Sequence, residues 1–123
     1  MNSQSKMPWL FFKLTGRISR VPYILAFLLF SVVMSFPLYQ YLRVPEESSE
    51  AQLWSKFFLV SAAVFFWVHI ATSVKRLHDL GRPGFFVIGL FIPVISLIAF
   101  LALCLMPGQA GANQYGQQPD VPA

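Results

Sequence analysis

The sequence predicts an all-α integral membrane protein, with three transmembrane helices preceded by a short interfacial helix. Three observations predict it. Hydrophobic residues make up 56% of the 123 residues and charged residues only 11%, against roughly 45–50% and about 25% in soluble domains. Mean hydropathy is +0.60. The charges are also segregated: windows 21–42, 57–74 and 85–106 contain no Lys, Arg, Asp or Glu. As helices rising about 1.5 Å per residue these windows reach roughly 27–33 Å, and the hydrocarbon core of a bilayer is about 30 Å thick. A soluble bundle is excluded on area. A helix apolar all round must be buried all round, and a chain of 123 residues has nothing left to cover three of them.

Taken in order, residues 1–7 are polar and are expected to be disordered. Residues 8–15, PWLFFKLT, predict the interfacial helix. Pro8 suits a first helical position and Gly16 a stop. Eight residues are not helical alone in water, but at a bilayer surface Trp9, Leu10, Phe11 and Phe12 sink while Lys13 stays wet. Ser19 is placed to cap span one, residues 21–42. Its apolar run exceeds the roughly 7–15 residues of a signal-peptide core and lacks a small-residue cleavage site, so it reads as a retained anchor. Pro37 is expected to kink the span and free the carbonyl of Val33, with Ser35 or a neighbouring helix compensating. Tyr39 and Tyr41 then suit the interface.

A polar connection follows, with Glu46, Glu47 and Glu50 against Arg43. Span two covers 53–74, with Trp54 and Lys56 at its start. The helix is expected to continue to about Leu80 and stop at Gly81, with Pro83 beyond. Span three covers 85–106, with Pro93 in its middle, and is either a kinked full span or a broken helix. The tail, 107–123, is rich in Gly, Pro and Gln and predicts turns and coil. Cys104, the single cysteine, excludes an internal disulfide.

Basic residues set orientation. Lys6, Lys13, Arg17 and Arg20 precede span one, and Lys75, Arg76 and Arg82 lie between spans two and three. Only Arg43 and Lys56 fall on the other side. Three spans with this asymmetry predict a cytoplasmic N-terminus in a bacterial inner membrane and a C-terminus outside. A third segment that is re-entrant at Pro93 would instead return the tail to the cytoplasmic side.

Three polar segments, LTGRISRVPY (14–23), VKRLHDLGRPGF (74–85) and GQAGANQYGQQP (108–119), resemble signatures of the bacterial inner-membrane family catalogued as domain of unknown function 805. The resemblance runs from residue 9 to 119. Members often carry tryptophan where Ile24 and Phe85 stand here. The resemblance implies a small multispan bacterial membrane protein and supplies no catalytic residue.

The densest polar stretch is KRLHDLGRPG (75–84). Lys75 and Asp79 are four apart and are expected to pair weakly on a helix. Arg17, Arg20, Arg76 and Arg82 are candidates for binding lipid phosphate, jointly forming an anion pocket. His78 and Asp79 are adjacent, about 100° apart on a helix, so neither can orient the other as in a Ser-His-Asp triad. A zinc site takes about three protein ligands, and the two histidines, His69 and His78, have only Asp79 nearby, so no metal and no cofactor are implied. His69 lies inside span two, where an ionisable group is a functional candidate. The bland reading is a neutral histidine bonded to Thr72, Ser73 or a carbonyl. Asn113 and Tyr115 read as a tight turn, able to pack on the arginines only if the tail shares their side.

The reading of function is a non-enzymatic inner-membrane protein that binds anionic lipid, a membrane protein partner or a second copy of itself, and no nucleic acid. The alternative is a membrane enzyme or minimal oligomeric transporter using His69, His78 and Asp79.

Overall fold

A computed structural model describes residues 6–122. Their regular structure is helical: α1 (Lys6–Phe12), α2 (Arg20–Leu42), α3 (Ser49–Asp79), a 3-10 segment (Gly84–Phe91) and α4 (Ile95–Leu105). Residues 1–5 of the expected disordered N-terminus lie outside the described residues. Lys6 and Met7 are not coil but the first residues of α1.

The long helices α2 and α3 run antiparallel, joined by residues 43–48. At 23 and 31 residues they reach about 34 and 46 Å. Ser48 starts α3 by accepting a hydrogen bond from the Ala51 amide at 3.0 Å, with Glu50 in the first turn, where the helix dipole favours an acid. α2 passes through Pro37 as one helix. The Ser35 hydroxyl donates to the Val32 carbonyl at 2.6 Å, one residue before the carbonyl that Pro37 leaves without its partner.

Both helices meet the length and composition needed to cross a membrane. Only 17% of the most apolar window of α2 and 28% of that of α3 is buried. The core helix of a soluble protein would be covered. Val21, Leu25 and Val32 on α2 and Leu59, Val60 and Phe66 on α3 instead stand exposed, an apolar surface suited to lipid. Where the helices do meet, aromatic rings form the seam. Phe27 lies 5.4 Å from Phe65 and 4.5 Å from Phe100 of α4, the spacing favoured by tilted and edge-on ring pairs. Deeper, the Tyr23 and Ser73 hydroxyls bond at 2.9 Å.

The third apolar window is not one helix, which corrects the expectation of a third full transmembrane helix. It is broken where Pro93 and Val94 stand. Pro93 has no N–H to continue a helix. The Ile95 amide donates back to the Pro93 carbonyl at 2.8 Å, which puts Val94 at φ 71° and ψ −54°, a strained γ-turn. Eight 3-10 residues and eleven α residues each rise only about 16 Å, half a hydrocarbon core. Both ends of this hairpin lie at the Asp79 end of α3. A Cβ on Gly84 would touch Val74 and His78, and the Gln109 amide donates to the Asp79 carbonyl at 2.8 Å.

Candidate functional site: a buried Arg–Asp–Arg cluster

Everything polar at this end of the molecule converges on the last turn of α3. Residues 71–77 and Asp79 are buried, although five of them, Thr72, Ser73, Lys75, Arg76 and Asp79, are polar or charged. Burying charge is tolerated only with full pairing, and the contacts supply it.

Asp79 receives one arginine on each carboxylate oxygen. The Arg17 Nε donates to Oδ1 at 3.0 Å, and the Arg76 Nη1 donates to Oδ2 at 2.8 Å. All three side chains are at most 3% exposed. The remaining guanidinium N–H groups meet carbonyls. Arg17 donates to Gly111 and Gln109, each at 2.7 Å, and to Gly116 at 3.1 Å. Arg76 donates to Leu103 at 2.7 Å and to Met106, which are carbonyls at the C-terminal end of α4. A cation belongs there, because unsatisfied carbonyls carry the negative end of the helix dipole.

Lys75 performs the same task for α1. Its Nζ donates to the carbonyls of Trp9, Leu10 and Lys13 at 2.5, 2.7 and 2.6 Å, and lies 4.9 Å from the centre of the Trp9 ring. The expected Lys75–Asp79 pair is therefore not formed. The lysine has three helix-end carbonyls, and the carboxylate has two forked guanidiniums. Trp67 adds an indole donor to the Phe12 carbonyl at 3.0 Å, so α1 is pinned along two turns of α3.

The tail closes the cluster. His78 Nδ1 lies 3.0 Å from the Gly16 carbonyl, and its ring stacks on Tyr115 at 3.9 Å with a 3° interplanar angle. Asn113 Nδ2 donates to the His78 carbonyl at 2.9 Å, and its Oδ1 accepts from the Tyr115 amide at 2.8 Å, an Asx turn. Asp120 accepts from the Ser19 amide and hydroxyl at 2.8 and 2.7 Å. Gly108 backs directly on the Asp79 carboxylate, where any Cβ would collide. The tail thus shares the side of Arg17, which overturns the expected C-terminus on the far side. The hairpin at Pro93 is the cause.

The four candidate arginines do not form one anion pocket. Arg17 and Arg76 are fully buried, and the anion between them is the chain's own Asp79. Arg20 and Arg82 are exposed. Arg20 donates to the Leu105 carbonyl at 2.8 Å. His69 stands apart, half-buried among Tyr23, Phe27, Phe65 and Phe100, with ring centroids 5.5–6.2 Å away. Thr72 does not bond its ring; the hydroxyl donates to the Val68 carbonyl at 2.8 Å.

Sequence reasoning did not identify Gly108, Gln109 and Asp120 as parts of the site. A signal was present for Asp120. Seven basic residues, at 6–20 and 75–82, belong to this end of the molecule, and Asp79 and Asp120 are the acids there.

Among curated proteins, the chain is 34% identical over 50 residues to the inner membrane protein YhaI of two Escherichia coli strains. The match covers 41% of this chain and 42% of that relative, less than half its length. No solved structure matches. The three polar segments that build the cluster fall almost wholly within residues 11–117, the stretch that matches the family described as Protein of unknown function (DUF805), and to that family the chain belongs.

Proposed function

We propose that this is a non-enzymatic, multispan inner-membrane protein whose cluster end faces the cytoplasm and holds anionic lipid headgroups. One observation carries the reading: the exposed charge at that end is overwhelmingly basic. Lys6, Lys13, Arg20 and Arg82 are exposed there, while Asp79 is taken by Arg17 and Arg76 and the half-buried Asp120, bonded to neutral Ser19, is outnumbered four to one. At the opposite end, Glu46, Glu47 and Glu50 outnumber Arg43 and Lys56. Such asymmetry favours the basic side in the cytoplasm. The inner-membrane relative supports the location. The enzyme or transporter reading is weakened, because His78 and Asp79 are held in structural bonds.

The test is lipid enrichment. Protein reconstituted in equimolar phosphatidylglycerol and phosphatidylcholine nanodiscs is re-isolated and its retained lipid quantified. The expected result is phosphatidylglycerol enrichment that disappears when Lys6, Lys13, Arg20 and Arg82 are all changed to Gln, since each surface cation contributes about 1 kcal/mol. An unenriched native protein rejects the reading.

A further inference from the structure

The re-entrant hairpin encloses a cleft that none of the contacts described so far explains. Its volume is about 540 Å³, within the roughly 300–1,000 Å³ of small-ligand sites. The walls are Leu77 of α3 and Leu80 just after it, Val87 and Leu90 of the 3-10 segment, and Ala99 and Leu103 of α4. Small side chains at Ala99 and Ala102, and none at Gly89, leave the space open between the two arms. Phe86, Ile95 and Met106, also in its lining, are exposed, so the cleft opens sideways toward the lipid-facing surface. Its polar end is at the cluster, where Arg82, Gly108 and Gln109 line it.

Arg82 is the unusual member. It is exposed, and no side-chain hydrogen bond or ion pair to it is found among the described residues. The nearest acid along the chain, Asp79, has both oxygens taken by other arginines. An apolar slot half a bilayer deep with one uncompensated guanidinium at its headgroup end complements one class of molecule.

We infer that the hairpin cleft is a binding site for a single anionic phospholipid, one acyl chain lying between the 3-10 segment and α4 and the phosphate paired with Arg82. This rests on the proposed anionic-lipid reading and narrows it from a charged surface to one site. A guanidinium offers a forked pair of donors to phosphate.

The same nanodiscs test it, with bound lipids counted by native mass spectrometry after gentle release. Native protein is expected to keep one phosphatidylglycerol that survives release. Ala99→Phe fills the cleft without altering charge, and Arg82→Gln removes the cation without altering the cleft. Each is expected to reduce that tightly held lipid about fivefold, the equivalent of about 1 kcal/mol. Ala102→Leu is a milder filling variant for use if Ala99→Phe folds poorly. A tightly held phosphatidylglycerol that persists in every cleft-filling variant overturns the site while leaving the headgroup-binding surface intact. Retention unchanged by Arg82→Gln overturns the phosphate contact and with it the inference. A native protein with no enrichment rejects both readings together.

Discussion

Asp79 is the residue on which this end of the molecule depends. Two buried guanidiniums share its carboxylate, and removing one member of a buried ion pair costs about 3–5 kcal/mol, because the others remain desolvated without a partner. Asp79→Asn keeps the shape and deletes the charge. The expected outcome is a large fall in the thermal midpoint of the detergent-solubilised protein, followed by circular dichroism. A midpoint equal to the native one would refute the central role given to the carboxylate. The residues involved stand out in the sequence as charges beside long apolar runs. Their pairing does not. Asp79 meets Arg17 across 62 positions, and Arg17 meets the tail carbonyls across 92–99. Of the two pairings possible within the helix, Arg76 with Asp79 forms, while Lys75 with Asp79 does not, because α1 places three helix-end carbonyls within reach of that lysine. Periodicity describes neighbours on one helix. It carries no information about which distant carbonyls arrive.

At the scale of elements, the first two apolar windows lie inside single helices because a backbone in lipid must satisfy itself. The end of α3 is legible, since Gly81, at φ 78°, follows its close, but its start at Ser49 lies four residues before the expected residue 53, because the Ser48 cap and Glu50 extend the helix into the polar connection. The hairpin is less legible. Pro93 marks a discontinuity, but a kinked crossing and a return to the same side begin from the same residue pattern. What separates them is whether the far end of α4 finds partners, and those are Arg76 and Arg20 on other elements. The turn itself is strained, since a β-branched residue at φ 71° is an outlier. Val94→Gly relieves that strain, and a stabilisation of about 1–2 kcal/mol is expected, read as a raised thermal midpoint. A lowered midpoint would mean that the Val94 side chain contributes more than its backbone costs.

For the whole molecule, two long antiparallel helices and one hairpin place both ends of the described chain on one face. Reporter fusions after residue 48 and at the C-terminus are expected to give opposite signals, with the C-terminal fusion matching one at the N-terminus. Opposite signals from the two termini would restore a third full crossing. This arrangement also explains why motifs far apart in sequence belong together. Gly16 and Arg17, the α3 terminus, and the Asn113–Tyr115 turn form one contact set, so a change in any of them disturbs the others.

The late position of the tail has a consequence for biosynthesis. Arg17 and Arg76 are translated long before Gln109, Gly111 and Gly116, whose carbonyls complete the shell around Arg17. While the ribosome is still within α4, the nascent protein holds two long helices with an unfinished ionic centre between them. Water or lipid phosphate must solvate those guanidiniums in the interim. Arrival of the tail, not formation of the long helices, is then the event that completes the shell around Arg17.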